Sequence, residues 1–216
     1  MAPRREPPEP RRTAARLYLL TPIVADVEPF RPALSETLAA ADVAAVLLRL
    51  TEADDRALID RAKSVAALVQ AHGAALLLEG RPDIVARAGA DGAHLIGLAD
   101  FTAAVSRLKP DRIAGCGGLA TKHDAMLAGE RGADYVMFGE PDAHGARPSF
   151  SAVRDRIAWW AELFEVPCIG YAATPQEIEA LSMAGADFIA LDSFVWSHEK
   201  GPAEAAKAAM SGLARA

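Results

Sequence analysis

Short, nearly continuous apolar runs alternate along the chain with longer stretches whose apolar residues recur at helical spacing. A run of Leu, Val, Ile and Ala without polar alternation marks a strand buried on both faces. Eight runs have this character, at residues 16–21, 43–48, 74–79, 92–95, 112–117, 135–139, 167–171 and 188–191. Helical spacing is found near 30–41, 53–71, 81–88, 100–108, 121–131, 150–164, 175–184 and 202–214.

A repeat runs through this pattern. Gly89-Ala90-Asp91, Gly132-Ala133-Asp134 and Gly185-Ala186-Asp187 each end a helical stretch and precede an apolar run, and Ala40-Ala41-Asp42 is a worn fourth copy. Glycine there suits the left-handed cap of a helix. The copies start 49, 43 and 53 residues apart, about two strand-plus-helix units each. Strict alternation of strand and helix predicts parallel strands joined by crossover helices. Eight units in some 200 residues predict an α/β fold, a single (β/α)8 TIM barrel. A doubly wound open sheet is the other arrangement compatible with the alternation, but the fourfold repeat favours a closed ring. In such a barrel the functional loops follow the strands at their carboxyl ends.

Composition sharpens the picture in two places. The 216 residues are 51% hydrophobic and 24% charged, ordinary for a globular domain, so the barrel domain is expected over 16–216. Residues 1–15 instead form a Pro/Arg-rich tail expected to be disordered. Five arginines against Glu6 and Glu9 give residues 1–16 a net charge of +3, which leaves −9 on the rest. An acidic body argues against nucleic acid as a partner. The apolar runs are too short to span a bilayer, so no membrane partner is expected, and the Arg-rich start is broken too soon by Thr21-Pro22 for an export signal. A cytoplasmic location follows as the expectation. Cys116 and Cys168 fit neither a disulfide framework nor zinc spacing and read as reduced core thiols. Trp159-Trp160 read as packing against the barrel or as a contact in a homo-oligomer.

The stretches Leu17–Thr21 and Val46–Arg49, Gly89 to Leu95, Gly132 to Gly139 and Ala184 to Asp187 carry a resemblance. Over about residues 16–200 the sequence resembles the thiamine phosphate synthase family, which includes the TenI-type thiazole tautomerases. The resemblance implies a TIM barrel that joins hydroxymethylpyrimidine pyrophosphate to a thiazole phosphate and releases pyrophosphate. It implies Mg²⁺ as cofactor to neutralise the leaving group, a carbocation at the pyrimidine, and a small phosphorylated molecule as partner.

Position by position the resemblance is uneven. Where the family has Gln-x-Arg-x-Lys after strand 2, this chain has Leu47, Arg49 and Thr51. The family's Asn-Asp after strand 3 is Glu79-Gly80, followed by Arg81, and its Gly-Gln-x-Asp after strand 4 becomes Ile96-Gly97-Leu98-Ala99-Asp100, which lacks the Gln and places its Asp one residue late. Those Asp residues hold magnesium in the family, so no residue of this chain is assigned as a metal ligand. The strand 5 Ser falls at Gly117, Leu119 stands where tautomerases carry a His, and the Pro-Thr-x-Thr-Lys after strand 6 becomes Ala143–Arg147 with His144 inside it. The phosphate loop after strand 7 spans Gly170, Ala172 and Ala173, and Asp192-Ser193 follow strand 8. Arg49 and Arg147 are the candidate catalytic residues. Arg81, Glu79, Gly117, His144, Gly170, Ala172, Ala173, Asp192 and Ser193 are candidates for substrate contact. An Arg81–Asp83 surface pair, a structural role for His94 and a solvated His144 stand beside those assignments. Two other functions remain open at this point. One is a catalytically inactive paralogue binding a phosphorylated ligand or a protein, and the other is an enzyme of altered substrate using Glu79, His144 and Asp192 for acid–base work.

Overall fold

A computed structural model describes residues 14–214; of the tail expected at 1–15, residues 1–13 lie outside the described residues, while Ala15 is buried against the barrel. Eight strands form one closed parallel barrel in the order of the chain, β1 to β8. They are β1 (Arg16–Val24), β2 (Val43–Leu50), β3 (Ala75–Glu79), β4 (Gly92–Ile96), β5 (Ile113–Gly117), β6 (Tyr135–Phe138), β7 (Cys168–Tyr171) and β8 (Phe188–Leu191). The intervening helices are α1 (Arg31–Ala40), α2 (Asp55–Ala71), α3 (Val85–Ala88), α4 (Leu98–Leu108), α5 (Lys122–Glu130), α6 (Phe150–Leu163) and α7 (Pro175–Met183). A single turn, α8 (Ser193–Trp196), follows β8 before α9 (Pro202–Leu213) closes the ring. The predicted (β/α)8 barrel is the observed fold, and the open sheet is not.

Residues alternate along each strand between two cores. Outward residues such as Leu17, Leu19, Val46, Leu48, Leu76, Leu78, Cys116 and Cys168 pack under the helices. Inward residues fill the barrel itself, among them Tyr18, Leu20, Leu47, Leu77, Tyr135, Met137, Ile169 and Tyr171. This alternation fixes which strand-end residues face the mouth: Arg49, Glu79 and Asp192 keep the inward parity of their strands. Both cysteines are buried in the outer core, as expected for core thiols, and burial pushes the Cys116 thiol up to about 12. Trp160 is buried beneath Phe138 and Phe164 and donates from its indole nitrogen to the Val166 carbonyl at 2.6 Å, so it packs on the barrel.

The Gly-Ala-Asp repeat is the clip at the amino-terminal end of the barrel. Asp91 Oδ2 accepts from the Leu76 N–H at 2.7 Å, Asp134 Oδ2 from Ala114 at 2.7 Å, and Asp187 Oδ2 from Cys168 at 2.8 Å. Each aspartate's own N–H donates to the carbonyl of the same residue. The repeat glycines Gly89, Gly132 and Gly185 take positive φ, where a side chain would be strained. In the worn copy Asp42 instead pairs with the Arg16 side chain.

Three elements depart from expectation: the helix expected near 81–88 is only the single turn α3, the turn α8 was not anticipated, and the first strand is longer than expected. The first strand does not stop at Thr21 but continues to Val24, with an irregular register between Leu20 and Ile23. Pro22 lacks a ladder N–H, and such a residue is accommodated at a bulge. Among the described residues no helix is long and apolar enough to cross a membrane.

Candidate functional site

The bulge at Thr21-Pro22 positions the first arginine of the mouth. Thr21 Oγ1 donates to the Pro22 carbonyl at 2.8 Å and accepts the Arg49 N–H at 3.0 Å. The Thr21 carbonyl then accepts from Arg49 Nε. With one edge of the guanidinium so held, its Nη2 meets Asp192 Oδ2 at 2.8 Å. Glu79 stands beside this pair. Burial raises its carboxyl pKa, the Arg49 charge opposes that rise, and Asp192 adds to it.

The second arginine is fixed across the mouth. Arg147 donates from Nε to the Gly139 carbonyl at 3.0 Å and from Nη2 to the Tyr171 carbonyl at 3.2 Å. Its guanidinium lies 4.7 Å from the centre of the Tyr171 ring, a cation–π contact. The same Nη2 reaches Glu177 Oε2 at 3.2 Å, and that oxygen also accepts the Ala173 N–H at 2.7 Å.

Deeper in the barrel, Tyr18 and Tyr135 share a hydroxyl hydrogen bond of 2.8 Å, and Tyr135 meets His94 Nδ1 at 2.9 Å. His94 is buried, and burial alone lowers its pKa to about 4, so its imidazole is neutral at pH 7. Glu140 closes this layer: one oxygen accepts the Gly118 N–H, while Oε2 is buried without a hydrogen-bond partner. Burial raises the Glu140 carboxyl pKa. Gly117 is what lets them meet, because a Cβ there would lie 2.6 Å from His94 Nε2 and run into Glu140.

The remaining positions singled out from the sequence scatter. Arg81 turns to the barrel's flank, donating to Asp55 at 2.5 Å and to Asp83 at 2.9 Å; the surface pair with Asp83 is present. A cavity of about 480 Å³ opens at that flank, lined by Glu79, Arg81, Asp100 and the apolar floor of Leu48, Leu78 and Ile96. His144 is exposed in a turn that Asp142 Oδ1 closes by accepting the N–H groups of His144 and Ala146. It is Glu79 and Asp192 that converge, on Arg49. Gly170 faces α7, where a Cβ would stand 3.0 Å from Leu181, and the Ala172 N–H is taken by the Ala190 carbonyl. The Ala173 N–H of that loop donates to Glu177 Oε2. Ser193 is exposed at the start of α8.

Residues 17–195 match the family described as thiamine monophosphate synthase. The chain belongs to the thiamine phosphate synthase family. A thiamine-phosphate synthase of Rhodospirillum centenum is 42% identical, covering 89% of this chain and 95% of the relative. One of Hyphomonas neptunium is 39% identical over 91% and 93%. Among solved structures, thiamine phosphate pyrophosphorylase from Pyrococcus furiosus superposes with a TM-score of 0.77 at 21% identity, covering 94% of this chain and 98% of that one.

The Mg²⁺ that family resemblance implies is a hard cation held by oxygen ligands in near-octahedral array. Among the described residues no three His, Cys, Asp or Glu side chains converge to hold a metal ion. Glu79 faces the Arg49 guanidinium, Gly80 has no side chain to offer, and Asp100 is exposed in the first turn of α4. The side chains present do not build a cradle for Mg²⁺.

Thr21, Tyr171 and Glu177 were not singled out from the sequence, although signals exist for two of them. Tyr171 shares the inward parity of Ile169, and Thr174-Pro175-Gln176-Glu177 has the spacing of a capping box. Thr174 Oγ1 does accept the Glu177 N–H at 3.2 Å, but the Glu177 carboxylate reaches back one residue further, to Ala173.

Proposed function

We propose that this protein joins hydroxymethylpyrimidine pyrophosphate to a thiazole phosphate, forming thiamine phosphate and pyrophosphate. The observation that carries the reading is the pair of anchored guanidinium groups, Arg49 and Arg147, on opposite sides of the mouth of a family barrel. The bond between the pyrimidine methylene carbon and the pyrophosphate oxygen breaks with its electron pair going to pyrophosphate. The thiazole nitrogen then supplies the pair for the new carbon–nitrogen bond. Pyrophosphate gains charge as it leaves, and fixed guanidiniums aimed at that charge lower the barrier. Arg49 is the catalytic group for the departing anion, and Arg147 for the phosphorylated end nearer β7. Glu79, Gly117 and Asp192 border the substrates, with Gly117 keeping the floor open.

The test is pyrophosphate release by purified protein supplied with both half-substrates and MgCl₂. Turnover is expected, with kcat/KM falling about 10²–10³-fold in Arg49→Ala and in Arg147→Ala. No release at high protein concentration sinks the reading.

A second reading is favoured by a specific observation: both arginines already hold carboxylates, Asp192 and Glu177. On that reading the protein binds a phosphorylated ligand without turning it over. It predicts saturable binding of a half-substrate with no pyrophosphate formed.

A further inference from the structure

Glu177 is held in an unusual way for a helix-capping residue. It is the third residue of α7, and its own N–H is taken by Thr174 Oγ1 in the ordinary capping fashion. Its carboxylate, however, leaves the helix. A single oxygen, Oε2, collects a backbone N–H from Ala173 and a guanidinium N–H from Arg147. One backbone amide just beyond β7 and one fixed cation from the neighbouring loop after β6 is the donor set that a bound oxyanion uses.

The donors are built more firmly than the carboxylate they serve. Arg147 is tied by two backbone carbonyls, from Gly139 and Tyr171, and rests on the Tyr171 ring. None of these contacts depends on Glu177. The Glu177 side chain is 16% exposed, so it has solvent on one side. Glutamate has three rotatable side-chain bonds, and its carboxylate can leave while the cation and the amide stay where they are.

We propose that Glu177 is a built-in anion occupying a ligand-phosphate position, and that its charge determines which anions this protein accepts. The inference rests on the reading that the mouth receives a small phosphorylated molecule, and it adds the residue that governs entry. A phosphate monoester carries up to two negative charges and several acceptor oxygens, so it competes for Arg147 and the Ala173 amide on better terms than a singly charged anion. While Glu177 remains in place, any incoming phosphate meets a like charge within hydrogen-bond distance of the same donors. Glu177 is therefore a specificity-determining residue, setting a threshold of charge that a ligand must exceed.

The experiment is a titration of inorganic phosphate into ¹⁵N-labelled full-length protein, following the Ala173 amide by NMR in wild type, Glu177→Gln and Glu177→Gln/Arg147→Ala. Gln retains a carbonyl to accept the Ala173 N–H and removes only the charge. Glu177→Gln is expected to bind phosphate at least about tenfold more tightly than wild type, with the Ala173 resonance shifting on saturation. The added Arg147→Ala change is expected to abolish that gain. Glu177→Ser supplies the same comparison if Gln disturbs the turn. Phosphate affinity unchanged or weakened without the Glu177 charge, or a gain that survives loss of Arg147, overturns the proposal. Turnover is not read, so a failure of the synthase assay leaves this outcome independent: an inactive protein whose Glu177→Gln variant binds phosphate refutes the reaction and not the residue.

Discussion

His94 illustrates how a single buried group leaves a measurable trace. The folded protein keeps its imidazole neutral down to about pH 4, whereas the unfolded chain takes up a proton near its ordinary 6.5. Below pH 6.5 the unfolded state therefore binds more protons, and stability falls with falling pH until about pH 4. The gap corresponds to about 3 kcal/mol. Glu79 and Glu140, whose carboxyl pKa values are raised by burial, act in the opposite sense, because the folded state holds their protons longer as pH rises. Urea unfolding of wild type and His94→Gln at several pH values isolates the histidine. The variant is expected to lose about 3 kcal/mol less between pH 6.5 and 4; equal losses contradict a neutral buried His94. At the same scale, the chemistry of Arg49 depends on Thr21, a residue whose importance the sequence hides because the bulge that turns its carbonyl to the guanidinium depends on a neighbouring proline.

Among the elements, the Gly-Ala-Asp repeat was legible as a helix end followed by a strand, and its glycines and strands stand where the pattern put them. Its aspartates are explained only by the barrel, since each accepts from a strand 15 to 20 residues earlier. Asp187→Ala removes the carboxylate that accepts the Cys168 N–H and ties β7 to the start of β8, and is expected to cost about 1–3 kcal/mol in thermal or urea unfolding. Because the clip lies at the amino-terminal end, ligand binding at the mouth should be unaffected at temperatures where the variant is folded. A variant as stable as wild type contradicts the clip. Strand parity explains the mouth equally well: Arg49, Glu79 and Asp192 converge because each shares the inward face of its strand. Arg81 was harder to place, since the hairpin of charges with Asp55 depends on how α2 packs beside α3. Gly170 sits on the outward parity and serves the β7–α7 contact.

On the scale of the whole molecule, the net charge of −9 beyond residue 16 acquires a location. Part of it stands at the mouth, where Glu79, Asp192 and Glu177 face Arg49 and Arg147. The strand count and the closed ring were readable from periodicity and repeat, because they depend on local pattern summed over eight units, whereas the family was readable from the resemblance of particular stretches and the extra turn α8 was not anticipated. The pairing of cations with carboxylates around the mouth was not, because Arg147 and Glu177 are 30 residues apart and meet only when β6 and β7 are adjacent. Such internal pairing makes the site's affinity for anions the quantity on which function turns. The most direct measurement is a single-turnover reaction, with protein in excess over hydroxymethylpyrimidine pyrophosphate and saturating thiazole phosphate, quenched and analysed by mass spectrometry. Thiamine phosphate in equal amount to pyrophosphate is the result expected here. Intact hydroxymethylpyrimidine pyrophosphate after prolonged incubation, with the protein folded and both half-substrates present, would contradict it.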